Sequence, residues 1–168
     1  AYVKDDYTST DKLFNIYQEG GAQAVLDYMK YRDSVKSAGI ESSSERTQTI
    51  YDNLGDEGLK LYSEAKAQYG DDEKMSAGNL IPFLDSKSLT SSQKGEYMAN
   101  FTTLAKGAQQ FADKGDYANV YQYYNIKSSA DSDGNGSLKK AELVDYLDRT
   151  GMSVDEKRTW FSILSTAN

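Results

Sequence analysis

The chain has 168 residues, a formal net charge of −7 and a sequence pI near 4.6, and it contains no Cys and no His. The missing Cys and His exclude disulfide frameworks, thiol nucleophiles, thiolate or imidazole metal sites and His-based catalytic triads. The acidity opposes nucleic-acid binding, which needs clustered Lys and Arg, and it favours cations as partners.

The length predicts one domain, over residues 1–168, that buries roughly two thirds of its unfolded surface. A hydrophobic content of 38% with 14 Tyr predicts a folded chain. No run approaches the length of a membrane span, because Pro82 breaks the longest apolar patch, so we expect none. The chain begins AYVKDD without a signal-peptide pattern, and we expect a mature product or a fragment of a larger protein.

Residues that begin and end helices are frequent in the N-terminal part, and patterns typical of strands are sparse. Ser9 or Thr10 is a candidate cap for a short first helix, and Gly20-Gly21 ends it. Gly39 is the expected stop of the second helix. The next predicted helices cover residues 22–38, 45–54 and 57–69.

The longest predicted helix covers residues 91–114. Its apolar residues recur at spacings of three and four: Tyr97, Phe101, Leu104, Ala108 and Phe111. Two further helices, over 117–130 and about 140–149, flank a polar loop. The sequence therefore predicts an all-α fold, a compact bundle of about seven or eight short helices.

An internal repeat underlies this pattern, because residues 79–101 align with residues 142–164 without a gap. The two segments read NLIPFLDSKSLTSSQKGEYMANF and ELVDYLDRTGMSVDEKRTWFSIL. The paired residues are Leu80 with Leu143, Phe83 with Tyr146, Leu84 with Leu147, Asp85 with Asp148, Leu89 with Met152, Lys94 with Lys157, Tyr97 with Trp160 and Phe101 with Leu164. The repeated unit is predicted to be a helix, a sharp turn with one buried apolar residue, and a second, capped helix.

A hydroxyl followed three residues later by Glu or Gln marks each second helix as a capping box. The boxes are Thr90 with Gln93 and Ser153 with Glu156, and a weaker third copy has Ser42 with Glu45. Chance recurrence explains the third copy as well as duplication does.

The segment DSDGNGSLKKAE, residues 131–142, has the spacing of a cation-binding loop. The candidate ligands are the side-chain oxygens of Asp131, Asp133 and Asn135, the main-chain carbonyl of Ser137, and both oxygens of Glu142. Gly136 stands where the chain must turn sharply, and Leu138 is the expected anchor to the core. Alternating loop residues of this kind direct oxygens to one centre.

The loop and its two flanking helices, residues 117–149, resemble the EF-hand family. The resemblance implies one bound calcium ion, with magnesium as a competitor. Lys139 departs from the family pattern at the ninth position, and with Lys140 it should lower the affinity. The alternative is an acidic turn that binds no ion.

EF-hands usually pair, and the repeat points to residues 68–79 as a degenerate partner loop. Its ligand positions hold Gln68, Gly70, Asp72 and Asn79, Glu73 replaces the turning glycine, and Met75 falls opposite Leu138. We expect this loop to keep the shape without the metal. The predicted subdivision is residues 1–55 as N-terminal helices, 56–113 as the degenerate repeat plus the long helix, and 117–168 as the EF-hand plus the capped helix.

The sequence predicts a non-enzymatic, calcium-binding structural or assembly module. The C-terminal segment 119–168 resembles C-terminal segments of virion proteins, such as tail or DNA-ejection components, from phages and prophages of Gram-positive bacteria. This implies protein partners or self-assembly, no small-molecule substrate, and an extracellular or virion location in preference to the cytoplasm. One alternative is a calcium-responsive module that exposes a hydrophobic groove.

The least favoured alternative is a glycan hydrolase that uses a carboxylate pair such as Asp5-Asp6 or Asp71-Asp72. The Tyr123-Tyr124 pair could stack on sugars or peptides, but core packing explains it better. Trp160 is likewise interpreted as a core residue.

Overall fold

A computed structural model of the protein describes residues 9–70 and 75–166, and every regular element in these ranges is an α-helix. The helices are α1 Thr10–Ser37, α2 Glu45–Tyr69, α3 Ala77–Asp85, α4 Ser91–Phe101, α5 Lys106–Asp113, α6 Tyr117–Ala130, α7 Lys140–Asp148 and α8 Val154–Thr166. The predicted all-α fold is confirmed. No helix in the described ranges is long and apolar enough to cross a membrane.

Backbone contacts divide the chain into two compact units, Ala1–Gln68 and Tyr69–Asn168. The prediction of one domain over 1–168, with its subdivision at residues 55 and 113, stays a prediction.

In the first unit, α1 and α2 each contain one glycine with non-helical backbone angles. Gly21 has φ 76° and ψ −168°, and Gly55 has φ 69° and ψ −157°. Both helices kink there because these angles are not helical, and glycine is suited to the position because residues with a side chain rarely adopt a positive φ. The kinks lie where the sequence predicted one helix to end and the next to begin.

The predicted cap of α2, Ser42 with Glu45, is wrong. Ser44 and Thr47 form the reciprocal pair instead: the Thr47 N–H donates to Ser44 Oγ at 3.2 Å, and the Ser44 N–H donates to Thr47 Oγ1 at 2.7 Å. Thr47 is buried and its hydroxyl also bonds the hydroxyl of Tyr31 at 2.9 Å, whereas Glu45 is exposed. Tertiary contact with Tyr31 therefore decides which hydroxyl caps the helix.

In the second unit the repeat is confirmed in the bounds of the helices. Helix α3 over 77–85 and helix α7 over 140–148 stand at the offset of the sequence alignment, and so do the first residues of α4 and α8. Both capping boxes form, with bonds of 2.9 and 3.1 Å in the first copy and 3.3 and 3.2 Å in the second. The pairs buried in both copies are Met75 with Leu138, Leu80 with Leu143, Leu84 with Leu147 and Phe101 with Leu164. The turn residues Leu89 and Met152, predicted to be buried, are only half-buried.

The long helix predicted over 91–114 is wrong, because the chain breaks between α4 and α5. Thr102 is extended, with φ −145° and ψ 167°, and the N–H of Ala105 donates to the Tyr124 hydroxyl at 2.7 Å. Two consecutive threonines, which favour extended backbone, begin the break. The apolar spacing continued across it because Leu104 and Ala108 are buried in the same core.

Helix α6 is the central element of this unit and contacts α3, α4, α5, α7 and α8. Its closest neighbour is α4, where a Cβ added to Gly95 would lie 1.7 Å from the carbonyl oxygen of Tyr117. Tyr123 and Tyr124 are both buried, and Trp160 is 7% exposed against Phe111, which confirms all three as core residues.

A polar cluster ties α6 to the α3–α4 hairpin. The Tyr121 hydroxyl donates to Asp85 Oδ1 at 2.7 Å, and Lys94 Nζ lies 2.8 Å from the same oxygen and 4.9 Å from the centre of the Tyr121 ring. Partial desolvation opposes ionisation of Asp85, but the hydrogen bonds and the Lys94 charge outweigh it and lower the pKa of Asp85. Desolvation and the bond to Asp85 raise the pKa of Tyr121 to about 12.

Candidate metal centre

The loop 131–142 connects α6, which ends at Ala130, to α7, which begins at Lys140. Gly134 and Gly136 turn the chain with φ values of 68° and 79°. The positive φ predicted at Gly136 is confirmed, and Gly134 adds a second one. Leu138 is 5% exposed, so the predicted anchor of the loop to the core is confirmed as well.

Three carboxylates converge in this loop. Asp131, Asp133 and Glu142 each present an oxygen, and these oxygens lie within 4.8 Å of one another. Within residues 9–70 and 75–166, this is the only such group of three or more potential His, Cys, Asp or Glu ligands. The fold thus brings together the first, third and twelfth residues of the loop, as a cation site requires.

Asp131 has one satisfied and one unsatisfied oxygen. Its Oδ2 accepts the Gly136 N–H at 2.7 Å. This bond holds the pKa of Asp131 below its usual range, although partial desolvation acts in the opposite direction. Its Oδ1 is buried and accepts no hydrogen bond from any residue that the structure describes. The lowered pKa indicates that the Asp131 carboxylate is ionised at neutral pH.

Both oxygens of Glu142 are engaged. The Lys139 N–H donates to Oε1 at 3.2 Å, and the N–H and hydroxyl of Ser132 donate to Oε2 at 3.0 and 3.1 Å. The bond from Lys139 is the main cause that lowers the pKa of Glu142, with desolvation opposing it. Sequence reasoning missed Ser132, because the loop pattern specifies no residue type at the second position.

The remaining predicted ligands lie in the same turn. The N–H of Asn135 donates to Asp133 Oδ1 at 3.2 Å, and its amide nitrogen donates to Asp133 Oδ2 at 3.0 Å. Asn135 Oδ1 accepts the Ser137 N–H at 2.8 Å. Coordination of an ion by any of the five predicted ligands stays a prediction. Lys139 and Lys140, near the end of the loop, are exposed.

The predicted partner loop, 68–79, is only partly described. Asp72 and Glu73 lie outside the described residues, as do the carboxylate pairs Asp5-Asp6 and Asp71-Asp72. Met75 is buried, and the N–H of Asn79 caps onto Ser76 Oγ at 3.3 Å in the first turn of α3. Asn79 thus stands in a helix, at the position equivalent to Glu142.

An open groove with a volume of about 480 Å³ adjoins the loop. It runs between the start of α3, the extended segment 102–105 and the last two turns of α6. Small and hydroxyl-bearing side chains predominate in its lining, among them Ser76, Gly78, Thr102, Thr103, Ala105 and Ser128.

Comparison of the chain with protein-family models, curated proteins and solved structures finds no match.

Proposed function

We propose that the loop 131–142 is an EF-hand that binds one calcium ion, and that the chain is a non-enzymatic structural or assembly module stabilised by this ion. The convergence of the Asp131, Asp133 and Glu142 carboxylates around a buried oxygen without a donor carries this proposal. A buried polar atom without a hydrogen-bond partner is costly, and a bound cation would supply the missing partner. Calcium suits the donors because it takes six to eight oxygens in a flexible arrangement.

The ligands would be the side chains of Asp131, Asp133, Asn135 and Glu142 and the carbonyl of Ser137. Magnesium competes for the same oxygens but demands a smaller, octahedral site. The positive charges of Lys139 and Lys140 oppose the cation, so we place the dissociation constant at the weak end of the range, roughly 10⁻⁵ to 10⁻³ M. Such an affinity suits extracellular or virion calcium better than cytosolic signalling.

A stabilising role is favoured over a calcium-exposed hydrophobic groove. The groove beside the loop is lined mainly by small and hydroxyl side chains, which supports this preference. The resemblance of the segment 119–168 to phage virion proteins supports an assembly role with protein partners or further copies of the chain. Calcium-dependent binding of a hydrophobic dye would favour the alternative, a module that exposes a hydrophobic groove when calcium binds.

Isothermal titration calorimetry of the full chain with calcium tests the site. We expect one site in the wild type and no measurable binding in Glu142→Gln, because this change removes a charge and one of the two ligand oxygens. Glu19→Gln is the matched control, since Glu19 is an exposed glutamate of α1. Wild-type protein that produces no heat with calcium would refute the proposal.

Thermal unfolding gives a second measurement. A ligand that binds only the folded state at a hundred times its dissociation constant stabilises that state by about 2.7 kcal/mol. We expect the melting temperature of the wild type to rise with calcium and to fall again with EDTA, and that of Glu142→Gln to respond to neither. A response to calcium that is equal in the two proteins would place the ion elsewhere.

A further inference from the structure

Ser132 joins the two ends of the loop. Its N–H and its hydroxyl both donate to Oε2 of Glu142, ten residues further along the chain. The Lys139 N–H donates to the other oxygen of the same carboxylate. Three donors therefore hold the Glu142 carboxylate at both of its oxygens.

We propose that Ser132 is a positioning residue that holds Glu142 for two-oxygen coordination and thereby raises the preference of the loop for calcium over magnesium, a role that rests on the calcium site proposed above. Calcium accepts oxygens at roughly 2.3–2.6 Å in flexible geometries, often two from one carboxylate. Magnesium requires near-octahedral geometry at roughly 2.0–2.1 Å. Binding of the smaller magnesium ion would draw Oε2 of Glu142 inward and break its hydrogen bond from the Ser132 hydroxyl.

The surroundings of Ser132 point to positioning and not to folding. Its side chain is exposed and belongs to no part of the core. Within the described residues, the carboxylate of Glu142 is the only group to which its hydroxyl donates. Removing the hydroxyl should therefore change ion binding while leaving the folded chain intact.

Calcium and magnesium dissociation constants of the full chain, measured by calorimetry, test this role. Ser132→Ala keeps the N–H and removes the hydroxyl, which corresponds to one hydrogen bond to a charged group. The hydroxyl bond is made before any ion binds and only magnesium breaks it, so its loss removes a cost of magnesium binding. We expect the dissociation constant for magnesium to fall about tenfold and that for calcium to change by less than about twofold. Ser132→Thr should restore the wild-type ratio of the two constants, because it restores the hydroxyl.

Ser129→Ala is the matched control, since Ser129 is an exposed serine in the last turn of α6, and both constants should stay unchanged. Wild-type and Ser132→Ala chains with the same ratio of calcium to magnesium constants would overturn the role of Ser132 and leave the calcium site standing. Equal weakening of both ions, or a failure of Ser132→Thr to restore the ratio, would overturn the selectivity. A wild-type chain that binds no calcium would overturn the site and the role together.

Discussion

Replacing Gly95 with Ala should destabilise the second unit, although Ala is the better helix former. The new Cβ would lie 1.7 Å from the carbonyl oxygen of Tyr117 and 2.6 Å from its carbonyl carbon. Both atoms belong to the backbone of the first residue of α6, so no rotation of a side chain relieves the contact. Helices α4 and α6 would have to move apart.

Two opposing effects set the size of this change. Ala in place of Gly inside a helix gains about 1 kcal/mol. Real Cβ atoms keep at least 3.0 Å from such neighbours, so the helices must separate by about 1.3 Å, the difference between 3.0 and 1.7 Å. Overpacking costs about 1–3 kcal/mol, and a backbone contact belongs at the upper end. The net expectation is a loss of about 2 kcal/mol.

Urea unfolding followed by tryptophan fluorescence measures this loss. Trp160 is the single tryptophan of the chain, and its ring lies 5.6 Å from that of Phe111 between ring centres, so it reports on the second unit. With a urea dependence of about 1–3 kcal/mol/M, the midpoint should fall by about 1 M.

Gly78→Ala in α3 is the matched control. A Cβ at Gly78 would meet only Ser128 Oγ, at 3.8 Å, which is an ordinary contact. Its midpoint should stay unchanged or rise. If Gly95→Ala raised the midpoint too, helix propensity would outweigh packing at this position, and the close approach of α4 to α6 would be refuted.

Adjacent tyrosines should respond oppositely to loss of the hydroxyl. Tyr123 is 0% exposed and no described residue bonds its hydroxyl, so Tyr123→Phe should stabilise the folded state by about 1 kcal/mol in urea unfolding. Tyr124→Phe should destabilise the folded state by a similar amount, because it removes the bond from the N–H of Ala105. The same sign for both changes would contradict the geometry. The lowered pKa of Asp85 predicts a pH dependence. Stability contributed by ionised Asp85 is present above its unfolded pKa of about 3.9 and is lost as the pH falls through the lower folded value. The difference in melting temperature between wild type and Asp85→Asn should therefore shrink below about pH 4, and a constant difference would contradict the assignment.

Local sequence rules and the internal repeat together predicted much of the fold. The Gly21 and Gly55 kinks, the two capping boxes and the bounds of α6 all follow from glycine, hydroxyl and apolar positions in the sequence. The constant offset of the repeat placed α3, for which the sequence offered little direct signal, by analogy with α7. Agreement between a local rule and a repeat constrains a helix more than either does alone.

The break between α4 and α5 could not be predicted because its cause lies in a distant residue. Leu104 continues an apolar spacing that fits a helix, yet the N–H of Ala105 bonds the Tyr124 hydroxyl 19 residues away. Tertiary contact likewise moved the cap of α2 to Ser44, where Thr47 meets Tyr31. Periodicity describes which side chains are buried, and it does not reveal whether the backbone between them stays helical.

Part of the candidate site could likewise be predicted from the sequence, and part could not. The spacing of the loop predicted that Asp131, Asp133 and Glu142 would approach one another, and they do. The bonds from Ser132 to Glu142 carry no signature in the sequence, because a serine in an exposed loop serves many purposes. Such contacts depend on how the loop closes in three dimensions.

The two copies of the repeat differ at the position where α4 touches α6. Gly95 corresponds to Arg158, which is exposed on α8. A consensus sequence made from the two copies, a common route to more stable proteins, would tend to place a side chain at position 95. Its α4 could no longer reach α6. Redesign of this protein therefore has to treat the copies as separate parts with their own packing surfaces, even where their sequences align without a gap.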